Sequence, residues 1–474
     1  MNNIIQLLFD RNKSNPNKIV FTDNTGSITY SEFEIKTRRI AQWLINQGIK
    51  KGDNISLVLY DNINTVAVTS ATILVGAVAC MVNPRGKKEN IEHQSSFVGP
   101  RLVIKESIID LQNSANIDDV VKQSLTLDEW TEPCATRVED LALMLWTSGT
   151  TGRGKAVMHN HRTYIDTCQK IGVNTIGVDS THKIYTTAKL FFAIGMFAGF
   201  FWPMYASAES YLDSGPSIPA RVRENIERYQ PTIFYSVPIV YSQLATRKIN
   251  CQALCLSGGD RLPQSVIDRW KEVSGQLIYN TSGVTEAALC YSYNKLGTPD
   301  AGTINDGYMM RVVDENNNEL PYNQVGRLQI QTEYRALGYY NDPYWTEKMF
   351  GSEWISTGDY AYITELGHLN YMGRINDVIK INGKFVNPSE IEETLLNYTG
   401  IEQAAVISRT GDDDLEHIEA FLVAAPNVQL NTKDIRRHLL DKHEKHYCPR
   451  VIHLVNELPR TDTGKVQRFI LKQS

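Results

Sequence analysis

What this sequence lacks narrows it first. Its seven cysteines, at positions 80, 134, 168, 251, 255, 290 and 448, are odd in number and scattered. No second Cys or His pair joins Cys251 and Cys255 in a zinc spacing. The pattern predicts reduced structural thiols rather than a disulfide framework. Long apolar runs are missing too. The longest, residues 71–82 and 190–203, fall short of the roughly 18–20 residues a membrane-spanning helix needs. The N-terminus has no basic start, extended apolar stretch or small-residue cleavage site. Positive charge is not in surplus: a net charge of -5 argues against a protein that neutralises many phosphates of a nucleic acid. Repeats, low-complexity stretches and charge blocks are absent. Together these absences predict a soluble, cytoplasmic protein with no membrane span and no nucleic-acid partner.

What is there is the balance of a globular protein with large cores, 42% hydrophobic and 21% charged over 474 residues. That length is too great for one ordinary domain. Ser31 and Glu34 form a capping-box pattern, followed by Phe33, Ile40 and Leu44 at helical spacing and Gly48 as a stop. Residues 55–59, 101–105, 141–146 and 232–237 read as buried strands separated by helical stretches. The alternation predicts an α/β fold with mostly parallel sheets. Residues 326–331 and 368–372 alternate in strand fashion. Asn387-Pro388-Ser389-Glu390 then reads as a helix start, with Asn as cap, Pro in the first position and an acid in the first turn. A boundary is expected at Gly373-Arg374, dividing residues 1–373 from a small α+β domain over 374–474.

The strongest chemical signal is Leu145-Trp146-Thr147-Ser148-Gly149-Thr150-Thr151-Gly152-Arg153-Gly154-Lys155. An apolar strand enters a loop of hydroxyls and glycines that ends on a lysine. Glycines let backbone N–H groups turn toward an anion, hydroxyls add donors and the lysine adds a point charge. This is a phosphate cradle without the Walker spacing. Four more motifs follow in order: Ser282-Gly283-Val284-Thr285-Glu286, Ser356-Thr357-Gly358-Asp359, Gly373-Arg374-Ile375-Asn376-Asp377-Val378-Ile379-Lys380, and Pro459-Arg460-Thr461-Asp462-Thr463-Gly464-Lys465. Gly383 and Val386–Glu392 stand between the last two. Alone, Glu286 or Asp359 reads as an ordinary surface carboxylate and Lys465 as a solvated lysine.

In this order, and over nearly the whole chain, the motifs resemble those of the AMP-forming adenylate ligases: acyl- and aryl-CoA synthetases, luciferases and adenylation domains. The resemblance implies a large N-terminal domain with a β-barrel-like subdomain and a mobile C-terminal domain. It implies ATP, Mg²⁺ and coenzyme A (or a carrier-protein phosphopantetheine) as cofactors. ATP and AMP fall to Thr147, Ser148, Gly149, Thr150, Thr151, Gly152, Lys155, the Ser257-Gly258-Gly259 stretch, Asp359, Arg374 and Lys465. Thr285, Glu286 and Lys465 are then catalytic, with Glu286 the metal ligand because Mg²⁺ prefers hard oxygen donors. Asn376 becomes the hinge, and Lys380 and Gly383 the thiol tunnel.

The acid pocket falls to Phe191, Phe192, Ala193, Ile194, Gly195, Ser236 and Gly283. The run Lys189–Gly195 resembles that of benzoate-CoA ligases, and Phe192 stands where many acyl-CoA synthetases carry a histidine. No carboxylate is placed to pair with an amino-acid ammonium, whose unpaired burial would be costly. An aromatic acid is the expected substrate, with a medium-chain fatty acid second. Four positions depart from the family pattern: Gly154 for proline, Ser282 for an aromatic, Asn376 for Asp or Lys, and Arg327 for Glu. Two alternatives stay open, a stand-alone enzyme that loads a carrier protein or an amine, and a nucleotide-binding protein without catalysis. A homodimer is compatible with either.

Overall fold

A computed structural model describes residues 2–132, 135–147, 154–300, 302–375, 378–381, 384–410, 416–460 and 466–473, and only the backbone of Lys380 and Lys384. The expected alternation of strand and helix builds two large sheets. One has seven strands; at its centre Asn54–Val58, Val78–Met81, Leu102–Lys105 and Leu141–Trp146 run parallel. The antiparallel strand Ala156–Asn160 and the short Gly338–Tyr339 extend it on one side. The other has nine strands, among which Lys183–Thr186, Ile233–Ser236, Leu254–Ser257 and Ile278–Ser282 are parallel neighbours. Most of these strands are buried on both faces, which is why they read as continuous apolar runs rather than as alternating ones.

The helix Ile63–Leu74 is buried from Thr65 to its end. Residues 71–82 are therefore the last turn of a core helix, a Gly76 turn and a core strand. Residues 190–203 divide similarly into the short helix Ala193–Met196, a π-helical turn Phe197–Phe201 and the start of Trp202–Ala206. There Tyr164 stacks on Phe197 and Phe201, with centroids 5.0 and 4.3 Å away. Among the described residues no helix is long and apolar enough to cross a membrane. The six described cysteines are free, and Cys251 Sγ lies 4.0 Å from Cys255 Sγ.

The capping box is real but sits two residues earlier than expected. Thr29 caps the helix Tyr30–Asn46 by accepting from the Glu32 N–H, and Glu32 accepts from the Thr29 N–H. Ser31 lies in the first turn and Glu34 beyond it, where Glu34 instead pairs with Arg38. Local spacing could not separate the two registers, because both place an acid three residues after a hydroxyl.

A third β unit is the four-stranded antiparallel sheet of Tyr308–Val313, Gly326–Thr332, Trp354–Ile363 and Leu369–Arg374. Arg327 gains a structural account here. Its guanidinium donates to the Asp314 carbonyl at 2.7 Å and to Asn317 at 3.1 Å, tying down the 314–318 turn. Beyond it, the helices Pro388–Leu396 and Thr432–Leu440 pack on a sheet of Ile401–Thr410, Glu416–Ala424 and Val451–Leu454. Ile391, Leu395, Val406, Leu422 and Ile435 form a core separate from that of the large sheets, the mark of a small C-terminal domain. Asn387 caps the first of these helices with Pro388 at its first position.

Candidate active site

The site is assembled at the carboxyl ends of parallel strands, where backbone groups and side chains of successive loops converge. The strand Leu254–Ser257 opens into Gly258 and Gly259. Thr281 donates to the Ser257 carbonyl at 2.8 Å, and the Tyr235 and Thr281 hydroxyls lie 2.5 Å apart. A Cβ on Gly258 would fall 2.6 Å from Thr281 Oγ1 and 2.9 Å from the Tyr235 hydroxyl, so no side chain fits. Gly259 has φ +85°, where L side chains are strained.

Next to it, Ile278–Ser282 leads into Gly283, where an added Cβ would overlap the Leu289 carbonyl oxygen at 1.0 Å. Thr285 and Glu286 follow on one turn of 3₁₀ helix. Glu286 is buried; its Oε1 accepts from the Tyr339 hydroxyl at 2.7 Å, and its carbonyl accepts from the Ala336 N–H at 2.9 Å.

Asp359 and Arg374 face each other across neighbouring antiparallel strands. Asp359 is 2% exposed, and its Oδ1 lies 3.2 Å from Arg374 Nη1, which also donates to the Thr357 carbonyl at 2.9 Å. The Asp359 charge holds the guanidinium firmly protonated. Gly259, Ser282, Gly283, Asp359 and Arg374 line one open cleft with about 810 Å³ of empty space, solvent included. Asn387 and Glu390 of the C-terminal helix line it too. That helix touches the large domain through Glu393, which is 3.6 Å from Arg261 and accepts from the Ser265 N–H at 3.4 Å.

Thr147 donates its N–H to the Lys155 carbonyl at 3.0 Å, closing the base of the glycine-rich loop. A Cβ on Gly154 would stand 2.3 Å from the Thr147 carbonyl, which accounts for glycine here instead of proline. Ser148, Gly149, Thr150, Thr151 and Gly152 lie outside the described residues, as do Asn376, Gly383 and Lys465. Lys380 lies on the strand Ile379–Ile381.

The apolar segment joins the cleft at Gly259, where a Cβ would lie 3.6 Å from Ile194 Cδ1. Phe191 and Phe192 pack with ring centroids 4.5 Å apart, and Ala193 begins the short helix. Gly195 lies so close to the Lys189 carbonyl that a Cβ would approach it to 2.1 Å. Ser236 is fully buried, its hydroxyl 2.6 Å from that of Thr187.

Sequence reasoning missed what holds this segment. Both carboxylate oxygens of Asp61 accept from the Leu190 N–H, at 3.2 and 3.1 Å. Burial pushes the Asp61 carboxyl up to about 6, partly offset by the Lys189 charge. Lys189 in turn donates to the Asp213 carbonyl at 2.7 Å. Tyr339 and Trp345 were missed as well, since nothing in their spacing marks an aromatic that faces a lysine. Lys155 Nζ lies 4.1 Å above the Trp345 ring.

Whether the site suits a divalent cation can be read from its donors. Among the described residues no three Asp, Glu, His or Cys side chains are gathered to hold a metal alone. A single buried carboxylate with one oxygen committed to a phenol fits an ion completed by phosphates and water, as Mg²⁺ usually is.

Two family models match the chain: AMP-binding enzyme over residues 8–340 and AMP-binding enzyme C-terminal domain over residues 390–465. A benzoate–CoA ligase of Thauera aromatica is 29% identical, over 96% of this chain and 93% of that protein. An anthranilate–CoA ligase of Pseudomonas aeruginosa is 26% identical, over 90% and 87%. A crystal structure of an anthranilate CoA ligase in complex with anthranoyl-AMP superposes with a TM-score of 0.91 at 26% identity, covering 99% of this chain and 96% of that one. A benzoate CoA ligase of Burkholderia xenovorans shares the fold at the same TM-score and 24% identity, with both chains fully covered. With the first family model spanning well over half its length, this chain belongs to the AMP-binding enzymes.

Proposed function

We propose that the protein activates an aromatic carboxylic acid with ATP and transfers it to coenzyme A. In the first half-reaction a carboxylate oxygen attacks the α-phosphorus, the bond to the bridging oxygen breaks and pyrophosphate leaves. In the second a thiol attacks the acyl carbon and AMP leaves. The observation that carries the reading is the cleft that gathers Gly259, Gly283, Asp359 and Arg374 beside the Phe192–Ile194 segment. It sets polar ribose-type partners beside an apolar segment. The named activities of the benzoate and anthranilate ligases agree with that chemistry.

In this reading Asp359 accepts from the ribose hydroxyls and Arg374 is a second ribose contact. Thr285 donates to a phosphate oxygen, and Lys155 with the 147–152 loop cradles the phosphates. Glu286 would hold Mg²⁺, which neutralises charge as pyrophosphate departs. Lys465 bridges carboxylate, phosphate and ribose oxygen, where charge concentrates in the transition state. The chain divides at 373/374, with Asn376 as hinge. The C-terminal domain presents Lys465 first and then Lys380 and Gly383 to the thiol, because the second step needs Lys465 withdrawn.

Acid-dependent exchange of labelled pyrophosphate into ATP tests the reading across benzoates, cinnamates and alkanoates. Exchange with benzoates above alkanoates is expected. Exchange with alkanoates alone would overturn the aromatic assignment, and thioester formation only on a carrier protein would replace coenzyme A as acceptor.

A further inference from the structure

The segment 338–346 touches Lys155 and Glu286, given phosphate and metal roles above, and its own geometry is fixed. The strand Gly338–Tyr339 pairs with Met158 and Val157, and the Tyr340 N–H donates to the Ala156 carbonyl at 2.9 Å. The stretch immediately following Lys155 is therefore zipped to this segment. Thr346 locks the far end: its hydroxyl accepts from the Tyr339 N–H at 3.0 Å and donates to the Asp342 carbonyl at 2.7 Å. Asp342 caps the following helix by accepting from the Trp345 N–H at 3.1 Å. Tyr339 is 4% exposed and packs edge-on against Phe350, with centroids 5.7 Å apart.

From this platform two side chains reach outward. The Tyr339 hydroxyl donates to Glu286 Oε1 at 2.7 Å, the one side-chain hydrogen bond of that carboxylate among the described residues. The Lys155 ammonium lies over the faces of Trp345 at 4.1 Å and Tyr339 at 5.6 Å. An ammonium is drawn to such faces far more weakly than to a multiply charged phosphate at contact distance.

We infer that Tyr339 and Trp345 are positioning residues for nucleotide and metal. Tyr339 fixes the orientation of the Glu286 carboxylate, and Trp345 parks the Lys155 ammonium until a triphosphate takes it. Both roles rest on the phosphate and metal roles proposed for Lys155 and Glu286. The exchange is one of partners, with no bond made or broken. Before nucleotide binds the cation lies on the indole; afterwards it lies on phosphate, and the indole is released from a neighbouring charge.

The test is tryptophan emission of the full-length protein titrated with ATP, with and without magnesium, beside calorimetric ATP binding. Wild-type emission should change as ATP saturates. Trp345→Phe and Lys155→Met should each abolish the change, with Trp345→Phe still binding ATP. Tyr339→Phe keeps the ring and its packing on Phe350. It should raise the magnesium concentration needed for half-saturation about 10–100-fold, the usual cost of losing a residue that orients a metal ligand. Its magnesium-free ATP affinity should stay within about twofold of wild type, because the lost bond reaches only the metal ligand. Emission unchanged on calorimetrically proven ATP binding, or a full response retained by Trp345→Phe, overturns the parking role. An unchanged magnesium midpoint in Tyr339→Phe overturns the orienting role. Either result, in a protein that still performs acid-dependent exchange, sinks this inference and leaves the proposed function standing. Emission that behaves as expected without exchange for any acid does the reverse, and absence of ATP binding sinks both.

Discussion

At the scale of single residues, the site depends on glycines that no other residue can replace and on charges that geometry holds in place. Gly283 is the sharpest case, because an added Cβ would sit 1.0 Å from the Leu289 carbonyl oxygen. Gly283→Ala must displace backbone between the cleft and Thr285. It is expected to cost about 1–3 kcal/mol of stability in thermal unfolding, with exchange activity falling at temperatures where the variant is still folded. Glu286→Gln is a different kind of change. The amide oxygen can still accept from Tyr339, so the unfolding midpoint should stay within a degree or two. Pyrophosphate exchange at limiting magnesium should fall by about 10²–10³, since the carboxylate proposed to hold the ion that would offset the departing charge is gone.

At this scale the sequence was legible wherever a motif pairs a residue type with a chemical need. Gly259, Gly283, Asp359 and Arg374 were nameable in advance and meet in one cleft. Asp61, Lys189, Tyr339 and Trp345 were not. Their roles arise from pairings such as Tyr339 with Glu286, 53 residues apart, and Leu190 with Asp61, 129 residues apart. No local pattern encodes contacts of that separation.

At the scale of elements, the strand Ala156–Asn160 follows Lys155 at one end and carries a buried histidine near the other. His159 is fully buried with neither ring nitrogen partnered among the described residues, and burial pushes it down to about 3. His161 opens the next helix, its Nδ1 accepting from the Ile4 N–H at 3.2 Å, and burial lowers it to about 4. Both are neutral in the fold, whereas in the unfolded chain they titrate near 6.5. Between about pH 6.5 and 4 the unfolded state therefore binds protons that the fold does not. Their stability contribution is full above about 6.5 and is lost as pH falls, by up to ~1.4 kcal/mol per pH unit for each histidine. In chemical denaturation across that range His159→Leu should flatten the acid limb by about one proton. An unchanged slope would contradict the neutral, buried assignment.

Elements were read well where burial makes them uniformly apolar, as in Leu141–Trp146 and Ile233–Ser236. They were read less well where one-dimensional spacing was degenerate. The capping box at Thr29 and Glu32 was placed two residues late because Ser31 and Glu34 satisfy the same spacing. Arg327, unexplained by any motif, is understood once its strand is seen beside the 314–318 turn.

At the scale of the whole molecule, the cleft lies where the large domain and the C-terminal helix meet. Glu390 and Asn387 line it, and Glu393 reaches Arg261. That a small C-terminal unit follows the large one was legible from the helix start at Asn387. How one sits on the other was not, because contacts such as Glu393 with Arg261 and Phe385 against Tyr360 carry no sequence signature. The central claim concerns the overall reaction, so the most direct measurement is product stoichiometry. Benzoate, ATP, magnesium and coenzyme A are incubated with the protein, and nucleotides and thioesters are quantified by mass spectrometry. The account predicts AMP, pyrophosphate and benzoyl-CoA in equal amounts, all three lost in Lys465→Ala. ADP in place of AMP, or thioester formed without AMP, would contradict it.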